Sequence, residues 1–166
     1  CSLLPAGRRE IKLFSHAFSG TLSIKDLPRE VVKIDFSGNQ LDGTLDLDAL
    51  PRTLEMLELA ENTFSGEISL TNLPPRLNVL GLELNHLSGT LDLTRLPQTL
   101  ESLRLSRNKF EGETDFSKLP ASLWELYVIA NEELTGEFRT EDETLEYYFD
   151  HTKVRFVCGR DTGFIT

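Results

Sequence analysis

Apolar and polar residues recur along this chain with a period of 23 residues. Asparagine, proline and glycine each keep this interval over five cycles. The periodic residues are Asn39, Asn62, Asn85, Asn108 and Asn131; Pro28, Pro51, Pro74, Pro97 and Pro120; and Gly20, Gly43, Gly66, Gly89 and Gly112, with Gly136 displaced by one residue. A fixed period of this size is the signature of a solenoid. The sequence therefore predicts a stack of near-identical turns.

Each turn carries the pattern L-x-x-L-x-L-x-x-N, as in Leu54, Leu57, Leu59 and Asn62. Alternation of leucine with other residues is typical of a short strand whose leucines point to one side. Strands in successive turns are expected to pair in parallel, with the leucines inside the stack. The intervening residues then form one continuous outward surface, which we call the concave surface.

A second short strand is predicted after each asparagine, where the chain turns at glycine and alternates again, as in residues 87–93. The turn closes through a Leu-Pro pair such as Leu96-Pro97, and proline, which has no N–H, favours an extended or 3₁₀ connection over a helix. The predicted fold class is a β-rich solenoid of about six turns, with a parallel concave sheet, a second short flank strand per turn and little helix.

The recurring asparagine is predicted to be structural. A buried amide costs free energy unless it forms hydrogen bonds. A column of asparagines can bond to backbone groups that are freed where the chain leaves the strand. None of the five is followed by x-Ser/Thr, so a glycosylation role is weak. The structural ladder consists of Asn39, Asn62, Asn85, Asn108 and Asn131.

These motifs resemble the leucine-rich-repeat superfamily over residues 11–136. The segment that leads into the strand of each repeat, such as Leu50-Pro51-Arg52-Thr53-Leu54, is similar to repeats of bacterial effector proteins. The Leu-x-Gly-Thr-Leu-x-Leu flank and the 23-residue length look more like kinetoplastid and other protist repeats, and distantly like the plant type. The resemblance implies recognition of a partner by the concave surface and implies no particular ligand.

The ends of the chain depart from the repeat. We expect a single domain over 1–166, with an N-terminal cap and degenerate first turn in 1–15, repeats in 16–136 and a C-terminal cap in 137–166. His16 replaces the ladder asparagine, which favours a cap turn over a pH switch.

Cys1 and Cys158 are expected to be free thiols because opposite ends of a stack lie too far apart for a disulfide, and Cys158 is expected to be buried in the cap.

Composition narrows the function. The net charge of −10 argues against nucleic acid and against an anionic membrane surface as partners. No apolar run is long enough to span a membrane, and the lack of paired cysteines at either end leans towards a cytoplasmic location without establishing one. No motif for phosphate binding, metal binding or nucleophilic catalysis occurs, so we expect a protein without cofactor or enzymatic activity. Asp46 and Asp48 are explained by strand alternation better than by a cation site.

The outward strand positions supply the candidate binding residues. They form an acidic middle with an exposed methionine, bordered by arginines and followed by two aromatic residues; Trp, Tyr and Arg dominate interface hot spots. The predicted partner-binding residues are Glu55, Met56, Glu58, Glu83, Arg104, Arg107, Trp124 and Tyr127. An alternative stays open at this stage: Trp124 and Tyr127 pack on Tyr147 or Tyr148 of the C-terminal cap.

The leading functional hypothesis is a non-catalytic protein–protein interaction module that binds a protein or peptide on its concave surface. Two alternatives remain. The first is that the chain serves as the substrate-recognition domain of a larger enzyme, such as a kinase or a ubiquitin ligase. The second is that it serves as an architectural spacer in a surface coat or assembly. The sequence predicts neither the oligomeric state nor the identity of the partner.

Overall fold

The computed structural model describes residues 8–140 and 144–157. In these residues the chain winds into seven turns, and each turn contributes one strand to each of two parallel sheets. The solenoid with parallel sheets and little helix is confirmed. Seven turns are present where about six were expected, because residues 144–157 continue both sheets in register.

The concave sheet is built from the Leu-x-Leu segments, and its strands pair in sequence order. Each strand is three residues long because the chain bends away where the asparagine follows. Its strands are β1 (Glu10–Lys12), β3 (Lys33–Asp35), β5 (Met56–Glu58), β7 (Val79–Gly81), β9 (Ser102–Arg104), β11 (Glu125–Tyr127) and β13 (Glu146–Tyr148).

The flank sheet holds the second strand of every turn. Gly43 has φ +88°, and a Cβ there would lie 2.9 Å from the Cγ2 of Thr21 in the preceding turn. Glycine therefore allows both the left-handed backbone and the close approach of the neighbouring turn. The flank strands are β2 (Ser19–Thr21), β4 (Gln40–Gly43), β6 (Thr63–Glu67), β8 (His86–Gly89), β10 (Lys109–Asp115), β12 (Glu133–Phe138) and β14 (Lys153–Phe156).

The core lies between the two sheets and consists mainly of the repeated leucines, which are almost fully buried. Phe64, Phe110 and Phe138 take leucine-like flank positions and are buried as well. Burial of one such side chain stabilises the fold by roughly 1.5–3 kcal/mol. Since every turn repeats this burial, the fold places its variable residues on the outside.

The connections opposite the concave sheet are tight turns organised by the periodic proline. The carbonyl of Pro51 accepts a hydrogen bond from the Leu54 N–H at 3.0 Å, and the same bond forms at Pro28, Pro74, Pro97 and Pro120. Within the described residues, short 3₁₀ helices occur at Ile24–Asp26 and Leu47–Ala49. The Thr53 hydroxyl donates to the Val31 carbonyl of the preceding turn at 2.8 Å and ties successive turns together.

The seventh turn closes the described stack with an aromatic cluster. Phe138, Phe149, Phe156 and Tyr147 have ring centroids 4.8–5.9 Å from their neighbours. In the described part of the segment expected to be the C-terminal cap, one strand joins each sheet. Cys1 and Cys158 lie outside the described residues. No helix in the described part of the chain is long and apolar enough to cross a membrane.

Candidate functional site

The asparagines lie where each concave strand ends, and Asn85 shows the arrangement. Its Oδ1 accepts the Phe64 N–H at 3.0 Å, from the flank strand of the preceding turn. Its Nδ2 donates to the carbonyls of Leu59 and Leu82 at 3.0 and 3.1 Å. Asn85 is only 4% exposed, so these are bonds that water does not replace. The ladder fixes the edge of the concave sheet and thus the positions of the outward side chains beside it.

The concave surface is open to solvent. In the described residues, each strand of this sheet contacts only its neighbours in the stack, and no other element crosses it. Strand register places the outward residues in columns that run from turn to turn. One column is Lys33, Met56, Val79, Ser102, Glu125 and Glu146, and the next is Asp35, Glu58, Gly81, Arg104, Tyr127 and Tyr148.

An ion network occupies the middle of this surface. Arg104 Nη2 donates to Glu58 Oε1, and Arg104 Nε lies 3.7 Å from Glu83 Oε1. The pair of Arg104 and Glu58 spans Gly81, where a Cβ would overlap the Glu58 carboxylate. Glycine at the third position of β7 is therefore what allows side chains two turns apart to meet.

Burial sets the protonation of this network. It raises the pKa of Glu58, while Arg104 acts in the opposite direction by attraction and by its hydrogen bond. The pKa of Glu83 is also raised, again mainly by burial. Within the described residues, Glu83 Oε2 is buried without a hydrogen-bond partner. Glu58, Glu83 and Arg104 thus neutralise one another in large part and offer less free charge than their residue types suggest.

Two further outward residues were not expected to interact. The Ser102 hydroxyl donates to Glu125 Oε2 in the next turn. Ser102 is buried under its neighbours, although it stands on the concave surface. The only signal in the sequence is that both residues occupy the same repeat position in adjacent turns, and strand pairing converts that spacing into contact.

A line of residues at the entrance of the strands forms a separate feature, which we call the lateral column: Glu55, Asn78, Glu101 and Trp124. Each donates its backbone N–H to the carbonyl of the residue one turn earlier, and the three bonds within the column are 2.8–2.9 Å long. A depression of about 440 Å³ follows this line. The residues that line it all carry polar or charged groups: Glu55, Arg76, Asn78, Gln98, Thr99, Glu101 and Ser122. Of these residues, sequence reasoning had selected only Glu55 as a site residue.

The carboxylates of the lateral column differ from those of the central network. Glu55 and Glu101 form no ion pair and no side-chain hydrogen bond with any residue in the described part of the chain. Glu55 is half-buried and Glu101 is exposed. Their charges are therefore available to a ligand, and the depression between them provides the space.

The two aromatic candidates have different surroundings. Tyr127 is half-buried and packs edge-to-face on Tyr148, with centroids 4.8 Å apart. Trp124 is 47% exposed and makes no ring contact with another aromatic side chain in the described residues. Packing on the last turn thus accounts for Tyr127, whereas Trp124 presents an open face at the end of the lateral column.

The remaining candidates also change in detail. Met56 was expected to be exposed, but it is half-buried, because Lys33 and Val79 flank it in the same column of the sheet. Together Met56 and Val79 form a small apolar strip beside the lateral column. Arg107 is exposed at the other end of its strand, with a positive φ of 55°.

The sequence also raised the question of metal-ligating and titratable side chains. In the described residues there is no group of three or more His, Cys, Asp or Glu side chains that could hold a metal ion. Asp46 and Asp48 do not alternate along a flank strand as expected: Asp46 directly precedes the 3₁₀ helix Leu47–Ala49, and Asp48 lies within it. Both are exposed, and Asp46 pairs with Lys25 at 3.8 Å. His16 and His86 are also exposed; the His16 backbone N–H donates to Asn39 Oδ1 at 3.1 Å and so completes the first rung of the ladder.

Comparisons with known proteins identify solved structures that resemble this solenoid. No family model matches the chain, and no curated protein sequence matches it either. Among solved structures, the chain is similar to the leucine-rich-repeat ectodomain of the receptor kinase SOBIR1 from Arabidopsis thaliana, with 34% identity and a TM-score of 0.60. The match covers 74% of this chain and 68% of that one.

Two further structures share the fold. Pollen Receptor Kinase 3 is 28% identical with a TM-score of 0.71, over 90% of this chain and 76% of that one. The plant peptide hormone receptor RGFR1, solved in complex with RGF2, is 18% identical with a TM-score of 0.67, over 90% of this chain and 29% of that one, and at this identity it shows the fold alone. The repeat, the asparagine ladder, the paired parallel sheets and the similarity to the SOBIR1 ectodomain show that this chain belongs to the leucine-rich-repeat proteins.

Proposed function

We propose that this chain is a protein-interaction module whose concave surface binds an extended segment of a protein or peptide. One contrast carries the proposal. The inward positions of the concave strands hold leucine or a close equivalent in turn after turn, whereas the outward positions change from acidic to apolar to aromatic. Packing explains the first set, but it does not explain an uncovered surface with such varied chemistry.

The exposed Trp124 and the depression that its column neighbour Glu101 helps to line support the same proposal. A half-exposed tryptophan keeps a large apolar area in contact with water, and tryptophan is the residue type most enriched at binding hot spots. The fold is compatible with this role, since RGFR1, which shares it, is known in complex with RGF2. The proposed contact residues are those of the lateral column, together with Met56 and Arg107.

Panning a random peptide library against the immobilised chain tests this function. Peptides enriched by the wild type are expected to lose binding to a Trp124→Ala/Glu55→Lys variant and to keep binding to a flank-sheet variant, Glu111→Gln/Glu113→Gln. Arg104 is unsuitable for this test because its removal leaves two buried carboxylates without their cation. Equal binding by both variants would move the site away from the concave surface, and absence of enrichment would favour the spacer hypothesis.

A second candidate function has one observation in its favour. The similar structures include the ectodomain of a receptor kinase, so this chain is proposed, as the alternative, to be the recognition part of a larger kinase. The sequence of the full transcript tests this directly: a kinase domain in the same reading frame supports it, and its absence refutes it. No observation on this structure favours a ubiquitin ligase.

The repeat subtype is a further proposal. The 23-residue period with the Leu-Pro entry resembles protist repeats, whereas the similar solved structures named above are plant receptor ectodomains. Determination of the source genome tests the subtype. Neighbouring genes or homologous chains with the same Leu-Pro entry in protists would support it, and their restriction to plants would contradict it.

A further inference from the structure

The carboxylates of the concave surface fall into two groups. Glu58 and Glu83 share Arg104, and Glu125 accepts a hydrogen bond from Ser102. By contrast, Glu55, Glu61, Glu101 and Glu146 form no ion pair within the described residues, and the whole chain carries a net charge of −10. Of these unpaired carboxylates, Glu55 and Glu101 lie in the lateral column, and Glu146 follows at its end, where its backbone N–H donates to the Trp124 carbonyl. Glu61 lies apart from the column, beyond the opposite end of β5.

Trp124 adds a second kind of attraction for cations. The indole face attracts a guanidinium or ammonium group held within about 6 Å of it, and arginine is the more frequent partner. Trp124 follows Glu101 directly in the column, since its N–H donates to the Glu101 carbonyl at 2.9 Å. A cation between these two side chains would be attracted by the carboxylate and by the ring together.

The dimensions fit an extended peptide. From Glu55 to Trp124 the column crosses three strand spacings of roughly 4.8 Å each, about 14 Å in total, which is the length of about four extended residues. Met56 and Val79 lie beside the column and offer apolar contact to the side chains that alternate with the cations. Arg76 is the one residue lining the depression with a positive charge, and it leaves an excess of one carboxylate there.

We infer that the partner of this surface is a basic extended segment, in which an arginine or lysine side chain binds between Glu101 and Trp124, a second cation binds near Glu55, and intervening apolar side chains contact Met56 and Val79. This inference rests on the proposed function and names the chemistry of its partner. Charge complementarity of this kind accelerates association and makes binding sensitive to salt.

The test uses Trp124 as its own reporter, since it is the only tryptophan in the sequence. A synthetic decapeptide in which arginine alternates with leucine is titrated into the chain while Trp124 fluorescence is followed. Two matched peptides replace arginine by citrulline, which is neutral and of similar shape, or by glutamate. The arginine peptide is expected to saturate the signal below roughly 1 mM and to weaken as salt rises. The citrulline peptide is expected to bind about tenfold more weakly, and the glutamate peptide not at all.

Protein variants separate the contributions, and isothermal calorimetry measures those that lack the tryptophan. Glu55→Gln/Glu101→Gln is expected to weaken the arginine peptide about tenfold, and Trp124→Ala about two- to fivefold. Arg76→Ala should strengthen it, because it removes the opposing charge. The matched control Glu111→Gln/Glu113→Gln removes the same charge from the flank sheet and should leave the affinity within twofold.

The outcomes keep this inference apart from the proposed function. Equal binding of the arginine and citrulline peptides, or weaker binding by Arg76→Ala, overturns the basic-segment inference. If library peptides without basic residues bind the concave surface while the arginine peptide does not, the proposed function stands and this inference fails. If neither class binds to the concave surface, both fail.

Discussion

Replacement of one asparagine in the middle of the ladder should destabilise the whole stack. In Asn85→Ala, the buried Phe64 N–H loses its acceptor. Leaving a buried group unsatisfied in this way costs about 1–3 kcal/mol. The carbonyls of Leu59 and Leu82 each lose one donor but keep another from Asn62 and Asn108, respectively, so each adds roughly 0.5 kcal/mol. The expected loss in free energy of unfolding is about 3 kcal/mol.

Two other asparagines provide the comparison. Asn39 accepts the N–H groups of His16 and Phe18, two exposed residues to which water can offer a replacement acceptor. Its Nδ2 donates to the carbonyls of Leu13 and Phe36, and the loss of these two bonds at roughly 0.5 kcal/mol each gives about 1 kcal/mol for Asn39→Ala. Asn78 stands on the concave surface without a side-chain hydrogen bond in the described part of the chain, and Asn78→Ala should change stability by less than about 0.5 kcal/mol.

Urea unfolding followed by far-ultraviolet circular dichroism measures these three values on one scale. The slope of each transition must match that of the wild type, since partial unfolding of a repeat protein would lower it. A loss below about 1 kcal/mol in Asn85→Ala, or an equal loss in Asn39→Ala, would refute the argument that burial of the ladder decides its contribution.

The remaining predictions also concern stability. Thr114→Val should stabilise the fold by about 1 kcal/mol in thermal or urea unfolding, because the buried Thr114 hydroxyl has no partner in the described residues; destabilisation would show that the hydroxyl is satisfied. Gly43→Ala should cost about 1–2 kcal/mol, because φ +88° and the close Thr21 methyl both oppose a Cβ, and an unchanged midpoint would contradict this. Burial raises the pKa of Glu58 and of Glu83 above that of an ordinary glutamate, so the folded state binds protons more readily than the unfolded chain. Stability should therefore rise as the pH falls from neutral towards the ordinary pKa of glutamate, and Glu83→Gln should flatten this rise. A pH profile of unfolding that is identical in Glu83→Gln and wild type would contradict the assignment.

Much of the fold follows from the sequence because the same packing problem is solved in every turn. The Leu-x-Leu spacing fixes strand faces, and the asparagine marks the end of each concave strand, as in Asn85. The seventh turn escaped prediction because the strand register places Thr152 where the earlier turns have asparagine, and because the leucine pattern is lost among aromatic residues. Strand pairing alone then brings Glu146 beside Glu125 and continues the sheet.

The surface was predicted less completely, for a physical reason. Repeat spacing says which side chains point outward, but not which of them bind one another across two turns. Glu58 and Arg104 are 46 residues apart, and their contact depends on the missing side chain of Gly81. Sequence position therefore identified Trp124 as accessible, yet it could not separate paired carboxylates from free ones such as Glu101.

The central claim is that ligands bind to the concave surface, and amide chemical-shift mapping on the isotopically labelled chain tests it most directly. A peptide enriched from the library is titrated while the backbone resonances are followed. Shifts should concentrate in and beside β5, β7, β9 and β11, including Trp124 and Glu101, and should be small in β6, β8 and β10. Shifts concentrated in the flank strands or in the proline turns would contradict the account.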